Sequence, residues 1–296
     1  MINPSLSTLI TRWAPLMFVL LWSTGFIGAK FALPYIEPFN LLFIRMLATL
    51  VVFAILIKIF RAGKITPIQS IHQMVVGSLV HAAYLGGVFA AIKLEMPAGL
   101  AALLVGLQPL LTALMGFTFL SERLSFKQWL GLLIGLLGVC IVLLQGQNLE
   151  NINISMAALL AVTVSLFGIS IGTMYQKRYG VGVNLLTGSF FQYLATALWM
   201  GLLTFTFEHQ EITWHPHLIG ALIWLVFGLS IIAILLLMHM IHEGKTTQVA
   251  SYFYLVPPVT AIEAWWLFDE SLTPIAIAGM LIAIFGVYLV IKKAAA

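Results

Sequence analysis

Apolar residues fill this chain in near-continuous blocks of about twenty, parted by short polar breaks, with no alternation inside the blocks. A helix rising about 1.5 Å per residue needs roughly that many residues to cross the hydrocarbon core of a bilayer. Reading from break to break predicts helices near 13–33, 38–60, 71–92, 97–119, 124–145, 154–176, 183–207, 217–240, 245–268 and 273–292. The expected fold class is therefore an all-α integral membrane protein with ten transmembrane helices. Pro38, Pro97 and Pro274 fall in first turns, where a missing N–H does no harm. Tyr35 and Trp214 stand near predicted ends, as interfacial aromatics do.

Composition excludes a soluble reading. Of 296 residues, 61% are hydrophobic and only 8% are charged, against roughly 25% charged in soluble domains. So few charges cannot cover a water-facing surface, and the chain reads as one membrane domain over 1–296. Only Arg12 precedes the first apolar run, no small-residue cleavage site follows it, and Lys30 interrupts the place of a cut; a retained helix is expected. A net charge of +4, this dilute, does not suggest nucleic acid as a partner. Cys140 is the sole cysteine, which excludes a disulfide within the chain.

The placement of the cations sets the expected orientation. With the N-terminus inside, Arg12, Lys58, Arg61, Lys64, Arg123, Lys127, Lys177, Arg178, Lys245, Lys292 and Lys293 are cytoplasmic. The other side holds only Lys93, and Lys30 and Arg45 lie within spans. That asymmetry predicts an even number of spans and both termini in the cytoplasm.

An internal repeat is visible. Glu95 to Val139 lies on Glu243 to Val287 without a gap: Pro109 meets Pro257, Thr112-Ala113 meets Thr260-Ala261, Glu122 meets Glu270, and Gly131 and Gly138 meet Gly279 and Gly286. Gly25 and Lys30 lie on Gly172 and Lys177, and Asn40-Leu41-Leu42 echoes Asn184-Leu185-Leu186 after a small gap. The predicted halves are 13–145 and 154–292, with helices 1–5 and 6–10. Five is odd, so the second half enters the membrane from the opposite side; this inverted repeat is the plan of alternating-access carriers.

The run Gly99 to Leu143, with Gln108-Pro109, Ser121-Glu122-Arg123-Leu124 and Gly131-x-x-x-Gly135-x-x-Gly138-Val139, resembles the EamA family of the drug/metabolite transporter superfamily. Pro257 to Val287, Trp22-Ser23-Thr24-Gly25-Phe26 and Arg45 share the resemblance, which spans both halves. It implies a multi-pass carrier of the bacterial inner membrane with a central cavity, exporting amino acids or related metabolites, in some relatives driven by protons. One departure, Asp269-Glu270-Ser271 in place of Ser121-Glu122-Arg123, follows from that loop's outside position.

Interruptions at corresponding positions of two repeats point to a carrier's binding site. Pro109 and the Pro257-Pro258 pair are such interruptions, each expected to free a carbonyl one turn earlier for a polar cavity, or else to act as a packing kink. Substrate-binding candidates in the same layer are Trp22, Ser23 and Thr24 on the first helix, His81 and Tyr84 on the third, and Gln108 before Pro109. Gln192 (with Tyr193 beside it) on the seventh helix and Ser251 and Tyr254 on the ninth complete the set. For any single aromatic, plain packing is the competing explanation.

Ionisable groups inside spans are costly and so draw attention. Arg45 is expected either to bind a substrate carboxylate or to hold a structural one; Lys30 can snorkel to the interface. Glu263 is a candidate proton carrier or a partner for Arg45 or Lys30, and His81 is the other proton candidate, unless it is a neutral buried histidine. Glu95, Glu122, Glu243 and Glu270 occupy helix ends, as caps or local pairs. The glycine series of helices 5 and 10 reads as close packing, within the bundle or at a dimer interface.

An intramembrane enzyme is the rival class. His239-x-x-His242-Glu243 lacks the H-E-x-x-H order of zinc hydrolases, and Glu208, His209, Glu211, His215 and His217 read as a flexible loop without ligand spacing. No catalytic residue, metal site or cofactor is expected. The expected partners are a small-molecule substrate, the lipid bilayer and, as a candidate coupling ion, the proton; oligomeric state is not read. A passive channel or a scramblase shares the architecture, and the low charge of the proposed cavity favours zwitterionic or amphiphilic solutes.

Overall fold

In the computed structural model the described residues are 4–94, 96, 101, 104–119, 121, 123–144, 154–244, 246–268 and 273–291. They are helical, and the one β feature among them is an isolated antiparallel bridge between Ile36 and Ile212. The helices are α1 (Pro4–Ala32), α2 (Pro38–Ile59), α3 (Pro67–Lys93), α4 (Gln108–Phe119), α5 (Phe126–Leu144), α6 (Met156–Tyr179), α7 (Leu185–Phe207), α8 (Pro216–Glu243), α9 (246–268) and α10 (Pro274–Ile291). Six of them, α2, α3, α6, α7, α8 and α10, are long and apolar enough to cross a membrane. Large apolar side chains such as Val51, Phe205, Trp266 and Leu281 cover the outside, a surface suited to lipid.

Local chemistry starts the helices where polar residues meet apolar runs. Thr66 and Gln69 form a reciprocal capping box ahead of α3, with Pro67 at its first position. Asn184 accepts from the N–H groups of Leu186 and Thr187 at the head of α7, and Ser155 accepts from Ala158 at the head of α6. Pro38 and Pro274 open α2 and α10; Pro97 lies outside the described residues. At the far end of α8, Lys177 donates to the carbonyls of His242 and Gly244, which lack helical partners.

Two kinds of interruption break these helices. Gly77–Ala83 of α3 and Leu225–Ala233 of α8 wind as π-helix, which loosens the ladder and re-aims the side chains that follow. Ahead of α4 the chain turns at Gly106 and Leu107, and α9 tightens into a 3₁₀ turn at Tyr252–Leu255. The register that lays Glu95 on Glu243 lays each interruption on its counterpart. The break precedes each proline, because proline withholds the N–H that the fourth residue back would accept and its ring crowds that carbonyl. In α9 the Phe253 carbonyl so released is taken by Val256 N–H within the tight turn, so at this residue no solute is required to satisfy it.

Packing pairs the helices in the same register. α5 lies along α10, α2 along α7 and α4 against α9; α1 packs on α8 and α9, as α6 packs on α3 and α4. Glycines set the closest approaches. A Cβ on Gly138 would stand 2.3 Å from the Ala283 nitrogen, and one on Gly286 2.3 Å from the Gly135 nitrogen. The glycine series therefore seats α5 on α10 within one chain. Gly25 and Gly28 face Leu229 and Leu225 of α8, while Gly172 faces Val80 and Leu79 of α3.

Candidate functional site

The glycine face of α1 and the two π turns leave space where α1, α2, α3, α7 and α8 meet. A cavity of about 370 Å³ lies there, its wall formed in part by Trp22, Arg45, His81, Tyr84 and Tyr193. A smaller cavity of about 70 Å³ adjoins it, sharing Trp22, Tyr84, Val88 and Ile92, and ends on Gln108, Pro109, Tyr254 and Pro257 at the two helix breaks. Residues from both predicted halves thus surround one space.

Arg45 is the charged group of the larger cavity. Only 8% of it is exposed, its Nε donates to Ser230 Oγ at 2.8 Å, and among the described residues no carboxylate forms an ion pair with it. A buried guanidinium without a counter-charge costs several kcal/mol, so its setting suits an anionic group brought by a ligand. His81, on the π turn of α3, lies 3.3 Å from Gln192 Oε1 through Nε2, and its ring centroid is 4.8 Å from that of Tyr193. Trp22 packs with Phe18 and Phe253 in a three-ring cluster.

A buried glutamine cluster adjoins the larger cavity through Gln192, which meets His81 in the cavity wall. Gln192 Nε2 donates to Gln73 Oε1 at 2.6 Å and approaches Gln176 Oε1 at 3.4 Å, with all three glutamines buried between α3, α6 and α7. Met238 of α8 closes on the same amide. Gln73, Gln176 and Ser230 were not among the residues expected here. Polar side chains in apolar runs were the available signal, but spacing alone does not show that three helices bring them together.

A second built cluster lies at the head of α2. Glu208 accepts from Phe39 N–H at 2.8 Å, Asn40 N–H at 2.7 Å and Thr204 Oγ1 at 3.0 Å. Its carboxylate lies 3.7 Å from Lys93, which also pairs with Glu37. It caps α2, the helix that carries Arg45. The flexible loop expected around Glu208 is instead anchored, with Thr213 N–H donating to Tyr35 carbonyl and His215 stacked on Tyr35. Among the described residues no group of His, Cys, Asp and Glu is arranged to hold a metal ion.

The expected residues divide in consequence. Trp22, Arg45, His81, Tyr84, Gln108, Pro109, Tyr254 and Pro257 line the two cavities. Gln192 sits in the glutamine cluster beside the larger cavity. Ser23 turns to Glu263, donating to Oε1 at 2.7 Å, and Thr24 accepts from Trp224 Nε1 at 2.8 Å. Ser251 bonds back to the Gln248 carbonyl. Pro258 faces a different, outer groove with Trp13, Val19 and Met280. Glu263 thus meets Ser23, and among the described residues it forms no ion pair with Arg45 and its buried Oε2 has no hydrogen-bond partner. The side chain of Lys30 and the residues Glu95, Glu122, Lys245, Asp269, Glu270, Ser271, Lys292 and Lys293 lie outside the described residues. Glu243 accepts locally from His242 at 3.0 Å.

Residues 12–144, and again 155–292, match the model of the EamA-like transporter family. A Bacillus subtilis protein named as the uncharacterised transporter YvbV is 25% identical over 296 residues, covering 97% of this chain and 93% of its own. A Salmonella typhimurium protein named as a probable amino-acid metabolite efflux pump is 27% identical over 283 residues, covering 93% and 92%. A protein solved by crystallography shares the fold, with a TM-score of 0.80 at 20% identity over 95% of this chain and 96% of that one.

Proposed function

The chain belongs to the EamA-like transporter family, and from that premise we propose that it is a secondary carrier exporting amino acids or related small metabolites by alternating access. It spans the bacterial inner membrane ten times as two inverted five-helix repeats, 13–145 and 154–292, with both termini cytoplasmic. The double family match, the coincident helix breaks and the paired helix packing support the repeats. An inner-membrane transporter of Escherichia coli, YedA, 26% identical, supports the location.

The observation that carries the reading is the central cavity with Arg45 in its wall, paired with no carboxylate among the described residues. About 370 Å³ suits a solute of amino-acid size. Arg45 holds the solute carboxylate with charge-assisted bonds, and Trp22, Tyr84 and Tyr193 cover its apolar body. Exchange of access between the two sides of the membrane delivers the solute. Glu263, with one oxygen bonded to Ser23 and the other without a partner among the described residues, is the proposed proton carrier, and His81 is the second candidate.

The test is counterflow of a labelled amino-acid and metabolite panel in proteoliposomes, with and without an imposed pH gradient. Saturable exchange of carboxylate-bearing solutes is expected, stimulated by the gradient. Flux that is unsaturable and shows no exchange would establish a channel.

A further inference from the structure

Ser23 holds a single hydroxyl hydrogen and lies within bonding distance of two acceptors. Its Oγ is 2.7 Å from Glu263 Oε1 on α9 and 2.8 Å from the Leu20 carbonyl on its own helix. A serine hydroxyl donates once and accepts through two lone pairs, so it serves one of these oxygens at a time as donor. With Glu263 ionised, its oxygens only accept, and the hydrogen belongs to Oε1. With Glu263 protonated at Oε1, the carboxyl donates to Ser23 Oγ, and the hydroxyl hydrogen turns to Leu20. The Leu20 carbonyl lies inside the ladder of α1 and keeps its helical bond in either case. Ser23 is fully buried, and Thr260, one turn before Glu263, ties the same two helices by donating to the Ser23 carbonyl at 3.4 Å. Both protonation states therefore fit the same heavy-atom positions.

We propose that Ser23 is the positioning residue of the proton site, a rotating hydroxyl that lets Glu263 gain and lose a proton without rearranging the α1–α9 seam. The inference rests on the reading of Glu263 as proton carrier and adds the residue that sets its proton affinity. The incoming proton forms an O–H bond at Oε1, while the hydrogen of Ser23 stays on Oγ and rotates from Oε1 to the Leu20 carbonyl. A carboxylate shielded from water without a donor is costly, and among the described residues Ser23 is the donor that Glu263 has. α1, α5 and α10 pack against this part of α9. Their titratable and charged groups are Arg12 and Lys30 on α1, Lys127 and Cys140 on α5 and Tyr288 on α10, beside Tyr252 and Tyr254 of α9 itself. Among the described residues no cation pairs with Glu263. Trp22, next to Ser23 in the chain, lines both cavities and meets Phe253 of α9 edge-on at 5.5 Å. The proton site thus adjoins the cavity wall.

The experiment is an infrared pH titration of the purified protein, following the carbonyl stretch of a protonated carboxyl group. The band is assigned to Glu263 by its loss in Glu263→Gln, and in the wild type it is expected to disappear as the pH rises. Ser23→Ala removes one oxygen and inserts nothing, so the helix seam is kept. A hydrogen bond to a carboxylate is roughly twice as strong as one between neutral groups, so losing Ser23 penalises the ionised form more. The band should then persist to higher pH in Ser23→Ala, its midpoint moving by about one pH unit. A packing role alone would leave the midpoint in place. An unchanged or lowered midpoint in Ser23→Ala would overturn the role of Ser23 and leave Glu263 as the carrier. A Glu263 band that is absent or constant throughout the titration would overturn the proton-carrier reading together with it.

Discussion

Substituting Gly138 by alanine places a methyl group into the α5–α10 seam, and the geometry fixes what must follow. The new Cβ would stand 2.3 Å from Ala283 N, 2.6 Å from Gly279 O and 2.8 Å from Ala283 Cα. All three contacts are backbone, so no side-chain rotamer relieves them. Ordinary contact needs about 3.5 Å, and the two helices must separate locally by about 1 Å. Overpacking of this kind costs about 1–3 kcal/mol, while alanine in place of glycine returns up to about 1 kcal/mol of helix propensity. Gly220 is the matched control, an exposed helical glycine of α8 with nothing within 4 Å of its would-be Cβ. Gly138→Ala is therefore expected to be about 2 kcal/mol less stable than Gly220→Ala, measured by SDS titration in mixed micelles. Equal midpoints for the two variants would refute the intramolecular seam and return the glycines to a contact between chains.

Arg45→Gln should weaken exchange of carboxylate-bearing solutes by about ten-fold or more, the worth of a charge-assisted bond, while Arg45→Lys retains part of it; unchanged half-saturation in Arg45→Gln would remove the proposed anchor. Glu208→Gln keeps the volume but loses the charge that Phe39, Asn40 and Lys93 share, and a loss of about 1.5–3 kcal/mol in the same SDS titration is expected; wild-type stability would show the cap to be dispensable. Glu263→Gln should abolish stimulation by a pH gradient while counterflow at symmetric pH persists. If stimulation survives both in that variant and in His81→Asn, coupling resides elsewhere.

Much of this architecture is legible because a bilayer imposes one strong rule on sequence, an apolar run per span. The prolines reported the helix breaks, though they could not show that each break lies just before the proline or that Phe253 finds its donor inside the tight turn. The π turns left no mark, since Gly77–Ala83 and Leu225–Ala233 share a register but no common residue pattern. Glu208 was misread as part of a loose loop because its partners, Phe39 and Asn40, lie far away in sequence at the head of another helix. Gln73 and Gln176 were hidden for the same reason, and the partners of Gln192 with them: a glutamine in an apolar run shows that a polar partner is needed and not where it comes from. Arg45, as a charge stranded in a span, was informative by itself.

The central claim is that one cavity is reached in turn from the two sides of the membrane. Val88 borders both cavities, and Cys140 is the sole native cysteine, so Val88→Cys in a Cys140→Ser background is the direct probe. In proteoliposomes of known orientation, an impermeant thiol reagent is predicted to label Val88→Cys from either side, with transported solute slowing both reactions and no leak of the reagent across. Labelling from one side alone, whatever solute is present, would contradict alternating access.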